Sequence, residues 1–326
     1  MATSTTTAVP ASATAAPALG ARDDAGPTSF SDRLRVWRWK YRQAWTAYLI
    51  LAPIVLYLFV FTWIPILIMA ALSVTEWNIV QWPPTFVGLE NYVEIFTDPY
   101  YQKVIRTTVT FALVVLVLEL VVGFGIAMLL NQQLRGRAMF RTIWYLPVVI
   151  SGAVLAQTLA VFLYPAKFGA LNSILDLFGQ PPVIWTRSEF WMPFWVIMFS
   201  FWRGVGTVVI FFLAGLQSID GTLYEAAQVD GANRWKLFRH ITIPQLAPVT
   251  LFVFMTSLVR SLQIWEAPLV LTYGGPNQST RTMVYSMYSD AFGNLQMGMA
   301  AAESILMLVT LMTLSGLNLR FLRVQQ

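Results

Sequence analysis

The sequence predicts an all-α integral membrane protein with six transmembrane helices and both termini in the cytoplasm. Three observations lead there. Apolar residues make up 57% of the 326 residues and charged residues 11%, against roughly 45–50% and 25% in a soluble domain. That leaves too little polar surface to cover a water-soluble fold. Six stretches reach the about 20 mostly apolar residues that a bilayer crossing needs, near residues 45–72, 104–131, 142–164, 193–216, 247–272 and 297–319. Lys and Arg then concentrate in alternate connections, which orients the chain.

Residues 1–30 are mostly Ala, Thr, Ser and Pro. They cannot bury enough surface to offset the entropy of ordering, and a disordered cytoplasmic tail is expected. A basic juxtamembrane segment follows at 31–44, with Arg33, Arg35, Arg38, Lys40 and Arg42. The apolar run behind it is long enough to span, so an uncleaved first helix is expected rather than a signal peptide. Residues 45–323 form the expected membrane domain. Pro53 and Pro65 lie inside the first span, which membrane helices tolerate where neighbours satisfy the freed carbonyls. Trp45, Trp77, Trp82, Tyr164, Trp185 and Tyr273 gather near span ends, as interfacial anchors do.

With the N-terminus inside, the inner connections carry the basic segment, then Arg135, Arg137 and Arg141, then Arg234, Lys236 and Arg239, then Arg320 and Arg323. The outer side carries Lys103, Arg106, Lys167, Arg187 and Arg281. The net charge of +5 therefore reads as an orientation signal and not as a nucleic-acid footprint. The chain has no cysteine and a single histidine, His240. That excludes disulfides, thiolate nucleophiles and multi-histidine metal sites. No Gly-x-x-x-x-Gly-Lys-Ser/Thr run is present, so a P-loop nucleotide site is not encoded here.

One polar island interrupts the later spans, within the cytoplasmic loop 217–246. Asp220-Gly221 makes a turn. Thr222 and Glu225 have capping-box spacing. Gly231 suits a left-handed helix end, and Asn233 suits the cap of a second short helix. Trp235, Phe238 and Ile241 recur every three residues along one side, and Pro244 and Pro248 lead back to the membrane. Two short helices at an angle are expected, with an aromatic edge and a basic rim. On these residues alone the pair could lie on anionic headgroups or dock a protein partner.

The run Glu225-Ala226-Ala227, Asp230-Gly231-Ala232, Phe238, Ile241 and Pro244 resembles the signature loop of type I ABC importer permeases. Thr272-Tyr273-Gly274-Gly275-Pro276 with Ser279-Thr280, and Val87-Gly88-Leu89-Glu90-Asn91-Tyr92, resemble segments of the maltose-type carbohydrate uptake subfamily. Tyr273 stands where that run usually has glycine. The resemblance covers residues 45–323. It implies that the loop couples to a separate ATPase through Glu225, Ala226, Ala227, Asp230, Gly231, Ala232, Trp235, Phe238, Ile241 and Pro244. It also implies a second homologous permease, two ATPase subunits and an extracytoplasmic solute-binding protein, in a bacterial plasma membrane. No cofactor is expected on this chain, and ATP and Mg belong to the partner ATPase. The implied activity is carbohydrate import; glycerol phosphate or another non-sugar solute is the alternative cargo.

Ionisable residues at membrane depth are costly and usually face a cavity or a partner. The candidates for a solute pathway are Glu119, Trp202, Arg203, Thr207, Arg260, Gln263, Trp265, Glu266 and Glu303. Ser200, Arg203, Gly204 and Thr207 share one helix face by their spacing, as do Arg260, Gln263 and Glu266 on a continuous helix. Interhelical pairing, such as Arg203 with Glu119 or Glu303, is the structural reading of the same charges. Gly123 and Gly125 are expected to allow close helix packing. A polytopic membrane enzyme would need clustered acids at one face, whereas Glu76, Glu90, Glu94 and Asp98 are scattered. An ion-coupled transporter would leave the 225–244 loop unexplained.

Overall fold

A computed structural model of the protein describes residues 45, 47–132, 135–165 and 168–324, the last six by backbone alone. The expected tail at 1–30 and basic segment at 31–44 lie outside the described residues. The chain divides into two units, residues 1–65 and 66–326. Helix α1, Ala47–Leu72, runs through the boundary. It widens to a π-helical turn at Phe59–Trp63, just before Pro65, which has no N–H to offer and crowds the carbonyl four residues back.

In the second unit, a short antiparallel pair, β1 Thr75–Glu76 and β2 Thr85–Phe86, joins Thr75 to Phe86 and Glu76 to Thr85. Helix α2, Glu90–Thr97, follows. Asn91 holds the turn by donating from Nδ2 to the carbonyls of Ser73 (2.9 Å) and Thr75 (3.0 Å). Helix α3, Pro99–Leu130, starts on the Asp98 side chain, which accepts from the Tyr100 N–H at 2.7 Å. Pro99 sits in its first turn, where a missing N–H costs nothing.

Among the described residues, four helices are long and apolar enough to cross a membrane: α1, α3, α7 (Trp191–Ser218) and α12 (Met297–Asn318 of Met297–Val324). The other two expected spans are not single straight helices. The third divides into α4, Arg137–Val149, and α5, Gly152–Phe162, bent by 99°. Pro147 removes one hydrogen bond, and Ile150 and Ser151 are extended, with ψ 142° and 131°. Helix α6, Ala170–Leu177, follows α5. The fifth expected span starts at α10, Ala247–Leu262, which α9, Arg234–Gln245, joins from the polar island at a bend of 62°. The chain then unwinds at Gln263 and Ile264, and Pro268–Thr272 forms a π-helical turn. The six-span expectation thus becomes four uninterrupted spans and two bent pairs.

Helices α3, α7 and α10 pack together at the centre, and α4 lies along α7. Lipid tails are as apolar as leucine, so close approach and van der Waals contact hold such helices together. A Cβ on Gly123 of α3 would lie 2.6 Å from a Val208 methyl, and one on Gly206 of α7 would collide with the Trp144 carbonyl oxygen. Gly125 faces open space instead, so only Gly123 fits the close-packing expectation. Two apolar clusters run along α7. One gathers Met192, Val196 and Phe199 with Phe111, Leu155 and Ile264, and the other gathers Val205, Phe212 and Leu216 with Ala127 and Leu246. The polar stretch from Ser200 to Gly204 falls between them.

In the connection between α10 and α12, Tyr273 has φ +50°, a conformation that costs glycine nothing. That is the physical reason a glycine suits this position. Helix α11, Met283–Tyr288, precedes a polar cluster around Asp290. Asp290 is 1% exposed and accepts from Asn294 Nδ2 (2.8 Å), Tyr101 OH (3.2 Å) and Arg281 Nη2 (3.4 Å). The Arg281 guanidinium also lies over the rings of Tyr100 and Tyr285. Burial pushes the Asp290 carboxyl up, with Arg281 and the hydrogen bonds pulling against it.

Candidate functional site

The polar stretch of α7 opens on a cavity of about 430 Å3. Its walls are Val115 and Glu119 from α3, Val148 from α4, Phe199 to Phe211 of α7 on one face, and Thr256 to Ser261 of α10. The unwound residues Gln263–Trp265, with Glu266 and Ala267 at the start of the next helical turn, complete it. Non-helical backbone at membrane depth is tolerated where it lines such a cavity.

Two ion pairs cross this space. Arg203 Nη1 lies 3.1 Å from Glu266 Oε1, with both side chains part-exposed. Arg260 Nη2 lies 2.5 Å from Glu119 Oε2, whose side chain is 1% exposed. Arg260 also donates from Nη1 to the Gly204 carbonyl (3.0 Å) and from Nη2 to Ser257 Oγ (3.3 Å). The expected partner of Arg203 was Glu119 or Glu303, and the partners are different. Unwinding after Leu262 brings Glu266 to Arg203, while Arg260, still helical, reaches across to Glu119.

Of the nine solute-pathway candidates, Glu119, Arg203, Thr207, Arg260, Gln263, Trp265 and Glu266 line the cavity. Trp202 and Glu303 do not. Trp202 follows the helical turn away from Arg203 and is exposed. Glu303 is fully buried on α12, near Asp290. The lining therefore comes from the second to fifth expected spans. Gly152 was missed. Its bare Cα lets α5 approach the Arg203–Glu266 pair, a role visible only once the third span is seen to break.

The polar island at 225–244 forms two helices, as its turn residues predict. Helix α8 is Gly221–Val229. Its cap is Asp220, which accepts from the Thr222 N–H at 2.9 Å, and not Thr222 as the capping-box spacing suggested. That N–H holds the Asp220 carboxyl below its ordinary range. Gly231 has φ +79°. The Ala232 N–H bonds the Ala227 carbonyl (2.9 Å) and the Gly231 N–H bonds that of Gln228 (3.0 Å), the double closure of a left-handed helix end. Asn233 caps α9 by accepting from the Lys236 N–H at 2.9 Å. Tyr224 OH and Thr242 Oγ1 meet at 3.0 Å and tie the two helices.

The faces of this pair differ. Glu225, Ala226, Asp230, Gly231 and Pro244 are exposed, while Ala227, Ala232 and Ile241 are half-buried. Trp235 is 65% exposed. Phe238 is half-buried, with ring centroids 5.7 Å from Trp235 and 6.1 Å from Phe124 of α3. Val229 is 89% exposed and extends the apolar edge beyond the residues singled out from sequence. A single valine between Gln228 and Asp230 carries no periodic signal of its own.

Broken spans around a polar cavity, with an exposed helix pair between two of them, define a multi-pass membrane transport subunit. Residues 119–323 match the family described as "Binding-protein-dependent transport system inner membrane component", and the chain belongs to that family. It is 32% identical over 280 residues to the probable ABC transporter permease protein YurN of Bacillus subtilis, covering 85% of this chain and 95% of YurN. It is 31% identical over 284 residues to the trehalose/maltose transport system permease protein MalF of Thermococcus litoralis, covering 86% and 95%. The sn-glycerol-3-phosphate transport system permease protein UgpA of Yersinia pestis is 32% identical over 239 residues, covering 72% and 80%. Among solved structures, a bacterial ABC transporter for import of the acidic polysaccharide alginate superposes with TM-score 0.74 at 25% identity, covering 88% of this chain and 99% of that one.

Proposed function

We propose that this chain is a pore-forming subunit of an ABC importer that carries a carbohydrate into the cytoplasm. The observation that carries this reading is the cavity, in which Ser200, Thr207, Thr256, Ser257, Ser261 and Gln263 offer hydroxyl and amide groups at membrane depth. Sugar hydroxyls exchange water for such partners at little cost, and Trp265 offers a ring face. A hydrated solute has no comparable partners in the lipid.

The chain crosses the membrane six times in this reading, at α1, α3, the bent pair α4–α5, α7, α10 with the broken segment after it, and α12. Both termini are cytoplasmic, because Arg135, Arg137, Arg141, Arg234, Lys236 and Arg239 fall on the same side. Residues 45–323 form the permease domain, with a tail at 1–30 and a basic segment at 31–44. The loop 217–246 docks a separate ATPase, where ATP and Mg bind; this chain holds no cofactor. Exposed Trp235 is its anchor, since aromatic residues buried at interface centres dominate docking energy. A second permease completes the pore, and a solute-binding protein delivers cargo from outside in a bacterial plasma membrane.

The test is uptake of labelled sugars, with glycerol phosphate as competitor, by cells expressing the intact importer with Thr207→Trp in this chain. Filling the cavity abolishes uptake while the complex still assembles. Unchanged uptake overturns the cavity as the path, and competition by glycerol phosphate alone overturns the carbohydrate.

A further inference from the structure

Both guanidinium groups in the cavity are matched by a carboxylate, and each pair rests against a glycine. A Cβ on Gly204 would collide with Glu119 Oε1 and lie 2.8 Å from Arg260 Cζ. A Cβ on Gly152 would lie 2.8 Å from both Arg203 Cζ and Glu266 Oε1. The pairs come from four different elements: Glu119 on α3, Arg203 on α7, Arg260 on α10 and Glu266 in the helical turn that follows the break at Gln263–Trp265. The rest of the polar lining is uncharged, so two arginines against two glutamates leave the lining with no formal net charge.

Desolvation penalises any ion that enters, and only an unmatched opposite charge offsets it. An anion approaching Arg203 meets Glu266 at the same guanidinium edge, and one approaching Arg260 meets Glu119. An uncharged solute avoids both penalties. It can still use donors that the pairs leave over, since a guanidinium carries five N–H groups and both arginine side chains are part-exposed.

We propose that this cavity is a charge-compensated site for an uncharged polyhydroxylated solute, and that Glu266 and Glu119 exclude anions by neutralising Arg203 and Arg260. The proposal rests on the cavity being the solute path. Within that reading it selects neutral sugars over phosphorylated or uronic ones.

The chain contains no cysteine, so Thr207→Cys places one thiol of this chain inside the cavity. In the assembled transporter in liposomes, the rates at which Cys-reactive sulfonate and trimethylammonium methanethiosulfonates modify that thiol are compared, each normalised to a free thiol. With both pairs intact, the normalised sulfonate-to-ammonium ratio stays within about fivefold of unity. Adding Glu266→Gln raises it by at least about fivefold and Arg203→Gln lowers it as much, the scale of one unit charge a few ångströms away. A ratio beyond about fivefold toward sulfonate with the pairs intact overturns the proposal, as does a ratio that neither substitution moves. Ser261→Cys, on the facing helix, gives the same comparison if the first thiol prevents assembly. The path reading fails separately: uptake that survives complete modification of the thiol overturns it, whatever the rate ratio.

Discussion

Arg260 Nη2 lies 2.5 Å from Glu119 Oε2, an ion pair that joins α10 to α3 over the bare Cα of Gly204. The two residues are 141 positions apart in sequence. Three helices meet at this point, and none can shift without breaking the pair or exposing the Gly204 carbonyl.

Gly204→Ala therefore costs stability on the order of 1–3 kcal/mol, as overpacking does, because the added methyl falls on a buried carboxylate. Thermal unfolding of the purified transporter measures it. Gly152→Ala costs less, since its Cβ meets the far ends of Arg203 and Glu266, which are part-exposed and can move. Equal losses for the two variants would contradict this account of the pairs.

Glu119→Gln keeps the side chain's size and removes its charge. Arg260 then carries an uncompensated charge beside the cavity, and removing one partner of a buried pair is destabilising. The double variant Glu119→Gln with Arg260→Gln recovers part of the loss. A double-mutant cycle on melting temperatures reads the coupling; strictly additive losses would show that the pair does not interact.

In the helix pair α8–α9, Gly231→Ala puts a Cβ at φ +79°, a left-handed conformation that costs an L-residue roughly 1–2 kcal/mol. Asn233→Ala removes the α9 cap at about 1 kcal/mol. Hydrogen exchange of amides 226–240 should speed up in both variants. In the coupled reading, substrate-stimulated ATP hydrolysis falls with them while surface levels hold.

The Asp290 cluster makes stability pH-dependent with a definite sign. Its folded carboxyl is raised above the ordinary 3.8 by burial. The native state therefore binds more protons than the unfolded chain between 3.8 and the raised value, and stability falls as pH rises through that window. Below 3.8 the contribution is flat. Asp290→Asn should remove this slope from melting temperature measured against pH, and an unchanged slope would assign it to another group.

The turn between α8 and α9 was legible from sequence because its signals are local. Gly231 and Asn233 act through backbone geometry within a few residues, and both adopt the roles their types predict. Thr222 lost the cap to Asp220 because both are good caps two residues apart, and the chain's exit from α7 selected the earlier one. The break at Ile150–Ser151 was hidden because an apolar run reads the same whether straight or bent; Pro147 was the available cue. Ser200, Arg203, Gly204 and Thr207 do share a face toward the cavity, as helical spacing requires. Gln263 and Glu266 also reach it, but by unwinding rather than by helical periodicity.

Composition, span length and charge asymmetry were enough to define a multi-pass membrane protein, and the family resemblance carried by the 225–244 run made it a transport subunit. Each depends on a property that neighbouring residues share, so no fold is needed to read it. The charge pairing in the cavity was decided by tertiary structure alone. Which glutamate meets which arginine depends on where helices bend and how closely glycines let them approach, and those distances link residues 63 and 141 positions apart.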